Sequence, residues 1–188
     1  MNYKDILLAS NSPRRKELME DSEIPFKICT AQSEEIFRVD IEKEQAIEQI
    51  AFEKANAVFE QYPDAIVIGA DTMVCYKEQM LGKPKNREDA YRMLALLSGK
   101  THEVITGVAI LSSNGNVLFH EKTFVTFYEL EHEMMEWYLD TQEPFDKAGA
   151  YGIQSKGKLL VKEIHGDYYN VMGLPIARVV REIKKLQK

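Results

Sequence analysis

"HEVITGVAILSSNGNVLFHEKTFVTFY", residues 102–128, decides the fold. Two long apolar runs, 102–112 and 117–128, flank Ser-Ser-Asn-Gly-Asn, and Asn114-Gly115 is a strong hairpin signal. Upstream, residues 87–97 predict an amphipathic helix closed by Gly99. Before that helix, "AIVIGAD" (65–71) is a continuous apolar strand stopped by Gly69 and Asp71; "TMVCY" stays extended and "KEQM" turns. Residues 43–61 set Ile47, Ile50, Ala51, Ala55 and Val58 at helical spacing. Earlier still come a buried strand over 4–10, a helix over 13–21, a short strand in "FKICTA" (26–31) and a polar loop, "QSEEIFRVDIEKE" (32–44). Downstream of the hairpin the chain predicts a helix over 131–140, a loop over 142–158 and a strand in "KLLVKEIHG". A loop through "GDYYNVMGL" and a last helix opened by Pro175 complete it. Helices and strands alternate, but the hairpin breaks strict βαβ order. The expectation is an α/β fold with a mixed sheet, as one domain over 1–188 in two lobes with a cleft between them.

Bulk properties narrow the function. The chain has 188 residues, 45% apolar and 29% charged, enough for a real core. A net charge of −6 argues against a general polyanion-binding surface, so any phosphate contact must come from a local basic pocket. No basic-aromatic stripe suggests a stable nucleic-acid partner. The basic "REIKKLQK" end reads as the cation-rich last turns of a helix. Cys29 and Cys75 lack CxxC spacing and sit in apolar segments, which points to reduced, buried thiols in a cytoplasmic protein. No secretion signal and no run near about 18 apolar residues is found, so no membrane partner is expected.

Four places break local rules, and such breaks mark candidate sites. In "LLASNSPRRKELM" (7–19), Ser12 and Pro13 make a favourable helix start, yet Arg14, Arg15 and Lys16 follow. Cations at a helix N-terminus cost roughly 0.3–1 kcal/mol each. A bound anion reverses that sign, and a strand-turn-helix start presents N–H groups to phosphate. The bland alternative is a solvated basic turn paired with Glu17 or Glu20. Lys54 falls on the apolar stripe 47, 51, 54, 58, either snorkelling outward or aimed into a cleft. Asp71 ends an apolar strand, where Gly69 allows close approach, and is a candidate general base or metal ligand; a turn aspartate is the alternative. A haloacid-dehalogenase-like nucleophile would need DxD, but residue 73 is Met. In "QMLGKP", Gly82 and Pro84 fix the backbone around Lys83, which otherwise reads as a surface turn lysine.

Other motifs are rejected. "SGKT" (98–101) imitates the end of a P-loop, but the required earlier glycine is Leu94. His102, His120, His132 and His165 lack metal spacing, and Met134, Met135 and Trp137 read as helix packing. Two arginines and two lysines suit a triphosphate. Asp71, with Glu34 or Glu35 from the polar loop, suits a hard cation bound through oxygen. The residues alone therefore indicate a nucleoside triphosphate site using Mg²⁺ or Mn²⁺.

"ASNSPRRKEL", the Glu34-Glu35 pair, Lys54, "IGADT", "LGKP", "DKAGAYGIQ" and "GDYYNVMGLP" together resemble the Maf family, in order across nearly the whole chain. That family is named for septum formation and comprises nucleoside triphosphate pyrophosphatases. "KAGAYGIQ" resembles its dTTP/UTP branch more than its 7-methyl-GTP branch. The resemblance implies an elongated mixed sheet flanked by helices, similar to the inosine triphosphate pyrophosphatases, and release of pyrophosphate. It assigns Asp71 as proton acceptor and metal ligand, with Glu34 as the favoured acidic companion. Ser10, Arg14, Arg15, Lys54 and Lys83 become substrate-binding residues, and Arg14, Thr72 and Gln154 specificity positions. Restraint of division and removal of non-standard nucleotides are both compatible roles, and a homodimer is an admissible assembly. A nucleotide-binding regulator without hydrolysis is the alternative of another class.

Overall fold

The computed structural model describes residues 5–32 and 40–187. Its elements in order are β1 (Ile6–Leu8), α1 (Pro13–Asp21), β2 (Lys27–Ile28), α2 (Lys43–Phe59), β3 (Ile66–Tyr76), β4 (Gln79–Leu81), α3 (Arg87–Leu97), β5 (Thr101–Ser112), β6 (Gly115–Phe127), α4 (His132–Asp140), β7 (Val161–His165), α5 (Tyr168–Met172) and α6 (Ile176–Leu186). Seven strands among the described residues form one sheet in the order β2-β1-β3-β5-β6-β7, with β4 added to β3. β1 runs parallel to β2 and to β3 (Leu8 opposite Ile28 and Ile68), whereas β3–β4 and β6–β7 are antiparallel. The sheet is therefore mixed and helix-flanked, as the hairpin implied.

That hairpin turns through Ser113 and Asn114 alone, tighter than the five-residue loop expected, and Gly115 opens β6 at φ 140°. Such a φ favours glycine. The Asn114 amide also ties the turn to the Leu186 carbonyl at 2.9 Å.

The chain divides into two compact units. The first comprises Met1–Asp71, Thr106–Glu121 and Gly173–Lys188, the second Thr72–Ile105 and Lys122–Met172. In the first unit, Leu7, Val67, Ala109 and Leu111 from the strands pack on Ala51, Ala55 and Val58 of α2. α2 lies unusually close to the strands. A Cβ on Gly69 of β3 would stand 2.3 Å from the Ala51 carbonyl oxygen, and one on Gly107 of β5 would stand 2.5 Å from that of Ile47. Adjacent strands thus present bare backbone to successive turns of one helix. In the second unit, Leu94 and Leu97 of α3 join Tyr138 and Leu139 of α4, Val104 and Phe127 in a separate core.

Several boundaries differ from expectation. "AIVIGAD" is not stopped at Gly69 or Asp71; β3 continues unbroken to Tyr76. "KEQM" is only half a turn, because Lys77 takes a left-handed φ of 53° and Gln79 starts β4. The expected loop through "GDYYNVMGL" contains the short helix α5. The loop over 142–158 carries two 3-10 turns, and a third, Gly157–Leu159, straddles its end. Cys75 is buried as expected, but Cys29 is only half-buried. Among Met134, Met135 and Trp137, only Met135 packs inward; the other two are exposed.

Candidate functional site

α2 buries Ala46, Ile47, Ile50, Ala51, Ala55 and Val58, and Lys54 lies among them. Its Nζ donates to Asp71 Oδ1 at 2.6 Å. The two side chains are only 16% and 23% exposed. Lys54 is therefore neither a surface snorkel nor a lone cation, and Asp71 is no turn residue. The freedom at Gly69, expected to admit a ligand, is used by the backbone of α2, with Ala55 N 2.7 Å from the would-be Cβ.

At the start of α1, Ser12 occupies the N-cap but makes no side-chain cap bond. Ser10 serves the turn instead: its Oγ accepts from the Ser12 N–H at 3.3 Å and from Arg15 Nη1 at 3.1 Å. Arg15 is 9% exposed, and its Nε donates to the Gly173 carbonyl at 2.7 Å. Arg14 is half-buried. Lys16 pairs with Glu20 at 3.4 Å in solvent, so the bland reading holds for that one cation. Ser10 lies just past the carboxyl end of β1, whose Leu8 pairs with Ile68 of parallel β3, and Asp71 stands three residues further along β3, which itself continues to Tyr76.

The second unit holds the remaining described positions. Thr72 follows Asp71 on β3 and is half-buried. Lys83 is exposed, between Gly82, whose carbonyl accepts from the Gly149 N–H at 3.0 Å, and buried Pro84. Gln154 is half-buried and borders a depression of about 540 Å³ shared with Lys158, Lys162 and Tyr168. Glu34 and Glu35 lie outside the described residues. Among those described, no three of His, Cys, Asp and Glu are grouped to hold a metal.

Three of the four histidines have structural partners: His102 meets Tyr151, His120 meets Glu48 and His132 meets Tyr91. Burial pushes His102 down to about 4, so it is neutral. Three features escaped the sequence reading. The Gly173 carbonyl that holds Arg15 is backbone and carries no residue signal. The Gly69 and Gly107 seats of α2 had one, since glycine inside a strand marks close backbone approach. The buried His102–Tyr151 pair had none.

The sequence matches the family of Maf-like proteins over residues 5–186. A dTTP/UTP pyrophosphatase of Bacillus cereus (strain G9842) is 53% identical over 182 residues, which cover 97% of this chain and 95% of that protein. A dTTP/UTP pyrophosphatase of Geobacillus sp. (strain WCH70) is 52% identical over 183 residues, covering 97% and 98%. Among solved structures, the Staphylococcus aureus Ham1 protein superposes with a TM-score of 0.52 over 95% of this chain and 100% of its own, at 14% identity, a likeness of fold.

Proposed function

The chain belongs to the Maf family, and from that premise we propose that it hydrolyses nucleoside triphosphates, dTTP and UTP foremost, to the monophosphate and pyrophosphate. The observation that carries this reading is the identity of about half of all residues, over nearly the full length of both chains, with proteins named for that activity. The Lys54–Asp71 pair supplies the matching chemistry.

Asp71 accepts a proton from the water that attacks the α-phosphorus. The new P–O bond forms as the bond to the bridging oxygen breaks, and pyrophosphate leaves. Lys54 fixes the orientation of that carboxylate and places an ammonium beside it. Arg14, Arg15 and Lys83 offset charge on the phosphate chain, and the Ser10 hydroxyl orients Arg15. Thr72 and Gln154 contribute to the choice of base; the Gln154 amide offers both a donor and an acceptor to a pyrimidine edge.

Asp71 is an oxygen donor, the chemistry a hard divalent cation requires, and Mg²⁺ commonly takes only one or two carboxylates besides phosphate oxygens. Asp71 and Glu34, with Glu35 as substitute, would hold Mg²⁺ or Mn²⁺, which when bound neutralises phosphate charge. A cytoplasmic nucleotide pool is the matching substrate source, and no described helix is long and apolar enough to cross a membrane. A panel of canonical and modified triphosphates assayed for pyrophosphate tests the proposal. Saturable nucleotide binding without pyrophosphate would replace the enzyme with a regulator.

A further inference from the structure

The backbone on either side of Gln154 is strained. Ala150 and Ser155, neither of them glycine, adopt φ of 59° and 49°. Such conformations persist only where the surroundings hold them. Tyr151, 5% exposed, shares a 2.7 Å hydrogen bond between its hydroxyl and Nε2 of His102 on β5, itself 2% exposed. Their rings meet edge-on at 5.3 Å, and Phe127 stands edge-on to both. The next residue, Gly152, donates its N–H to the hydroxyl of Tyr138 on α4 at 3.1 Å. The chain then folds back so tightly that a Cβ on Gly157 would stand 2.0 Å from the Gly152 carbonyl oxygen.

These polar groups are not needed to fill space. His102 Nδ1 has no hydrogen-bond partner among the described residues, a cost an apolar side chain would avoid. What the imidazole and the two phenols provide is direction: two consecutive residues, Tyr151 and Gly152, are each pinned through the hydroxyl of a buried tyrosine just before Ile153 and Gln154. We propose that His102 and Tyr138 are positioning residues for Gln154, fixing where its amide stands and thereby how sharply pyrimidine triphosphates are preferred. The proposal rests on the reading of Gln154 as the residue that meets the base.

Tyr151→Phe and Tyr138→Phe remove only the hydroxyls. Each is expected to speed amide hydrogen exchange at residues 152–154. The ratio of kcat/KM for dTTP to that for a purine triphosphate should fall by roughly tenfold, the equivalent of one lost hydrogen bond, with kcat on the purine substrate little changed. Combined with Gln154→Ala, neither should lower the ratio beyond Gln154→Ala alone. His102→Gln, which keeps a polar partner for Tyr151, should retain more of the ratio than His102→Leu. Unchanged exchange, or equal loss on every triphosphate, overturns the positioning role. If exchange rises but Gln154→Ala itself leaves the preference intact, the reading of Gln154 fails and takes the link to specificity with it, while the pinning of the segment stands.

Discussion

Gly69 lets the carbonyl oxygen of Ala51 pass 2.3 Å from the point where a Cβ would stand, and that passage delivers Lys54 to Asp71. Ala51 and Ala55 flank Lys54 on α2, while Gly69 precedes Asp71 on β3. The approach of helix to strand therefore sets the 2.6 Å ion pair.

Gly69→Ala tests this dependence. Its φ is not left-handed, so alanine is acceptable to the local backbone. The gain from replacing a strand glycine is about 0.5–1 kcal/mol. The clash falls on backbone atoms of α2, which cannot rotate away, and overpacking of this kind costs on the order of 3 kcal/mol, so destabilisation wins. Urea unfolding should show that loss, and pyrophosphate release should fall with it. Gly82→Ala is the control: nothing lies within 4 Å of its would-be Cβ, and its stability should hold or rise.

Asp71→Asn should fold and lose roughly 10²–10⁴-fold in triphosphate hydrolysis, the usual contribution of a positioned base. Stability should fall by about 1–3 kcal/mol, because the largely buried Lys54 ammonium loses its counter-charge while asparagine still accepts its hydrogen bond. Steady-state pyrophosphate release alongside thermal melting separates the two effects. Retained turnover would remove Asp71 from the role of base.

The parts legible in the sequence were those whose signals are local. Asn114-Gly115 announced the hairpin, Gly99 ended α3 at φ 65°, and Lys54 stood out as a charge on an apolar stripe. β4 was hidden because Lys77 takes a left-handed turn without glycine or asparagine to mark it. α5 spans only Tyr168–Met172, too short for periodicity to register. Arg15 looked like a free helix-start cation because its acceptor is the carbonyl of Gly173, distant in sequence and anonymous as backbone.

Arg15→Lys should be more damaging than its conserved charge suggests. The planar guanidinium reaches Gly173 O through Nε and Ser10 Oγ through Nη1. A lysine ammonium lacks that fork and leaves a buried acceptor short of a partner, on the order of 1–3 kcal/mol. Chemical denaturation should show the loss in the ligand-free protein. A higher KM for triphosphate should accompany it. An unchanged unfolding midpoint would mean that Arg15 is not part of the fold.

His102 makes stability fall in mild acid. Burial alone holds its pKa at about 4 in the folded chain, against 6.5 for the unperturbed side chain. Above 6.5 both states are neutral there and the group has no effect. Between 6.5 and 4 the unfolded chain takes up a proton that the folded chain refuses, so stability declines as pH falls. At about 1.4 kcal/mol per pH unit the decline amounts to roughly 3 kcal/mol. His102→Gln cannot titrate and should lose less stability than the parent between pH 7 and pH 5, as read from urea midpoints in the two buffers. Parallel declines in parent and variant would assign the acid sensitivity to other groups.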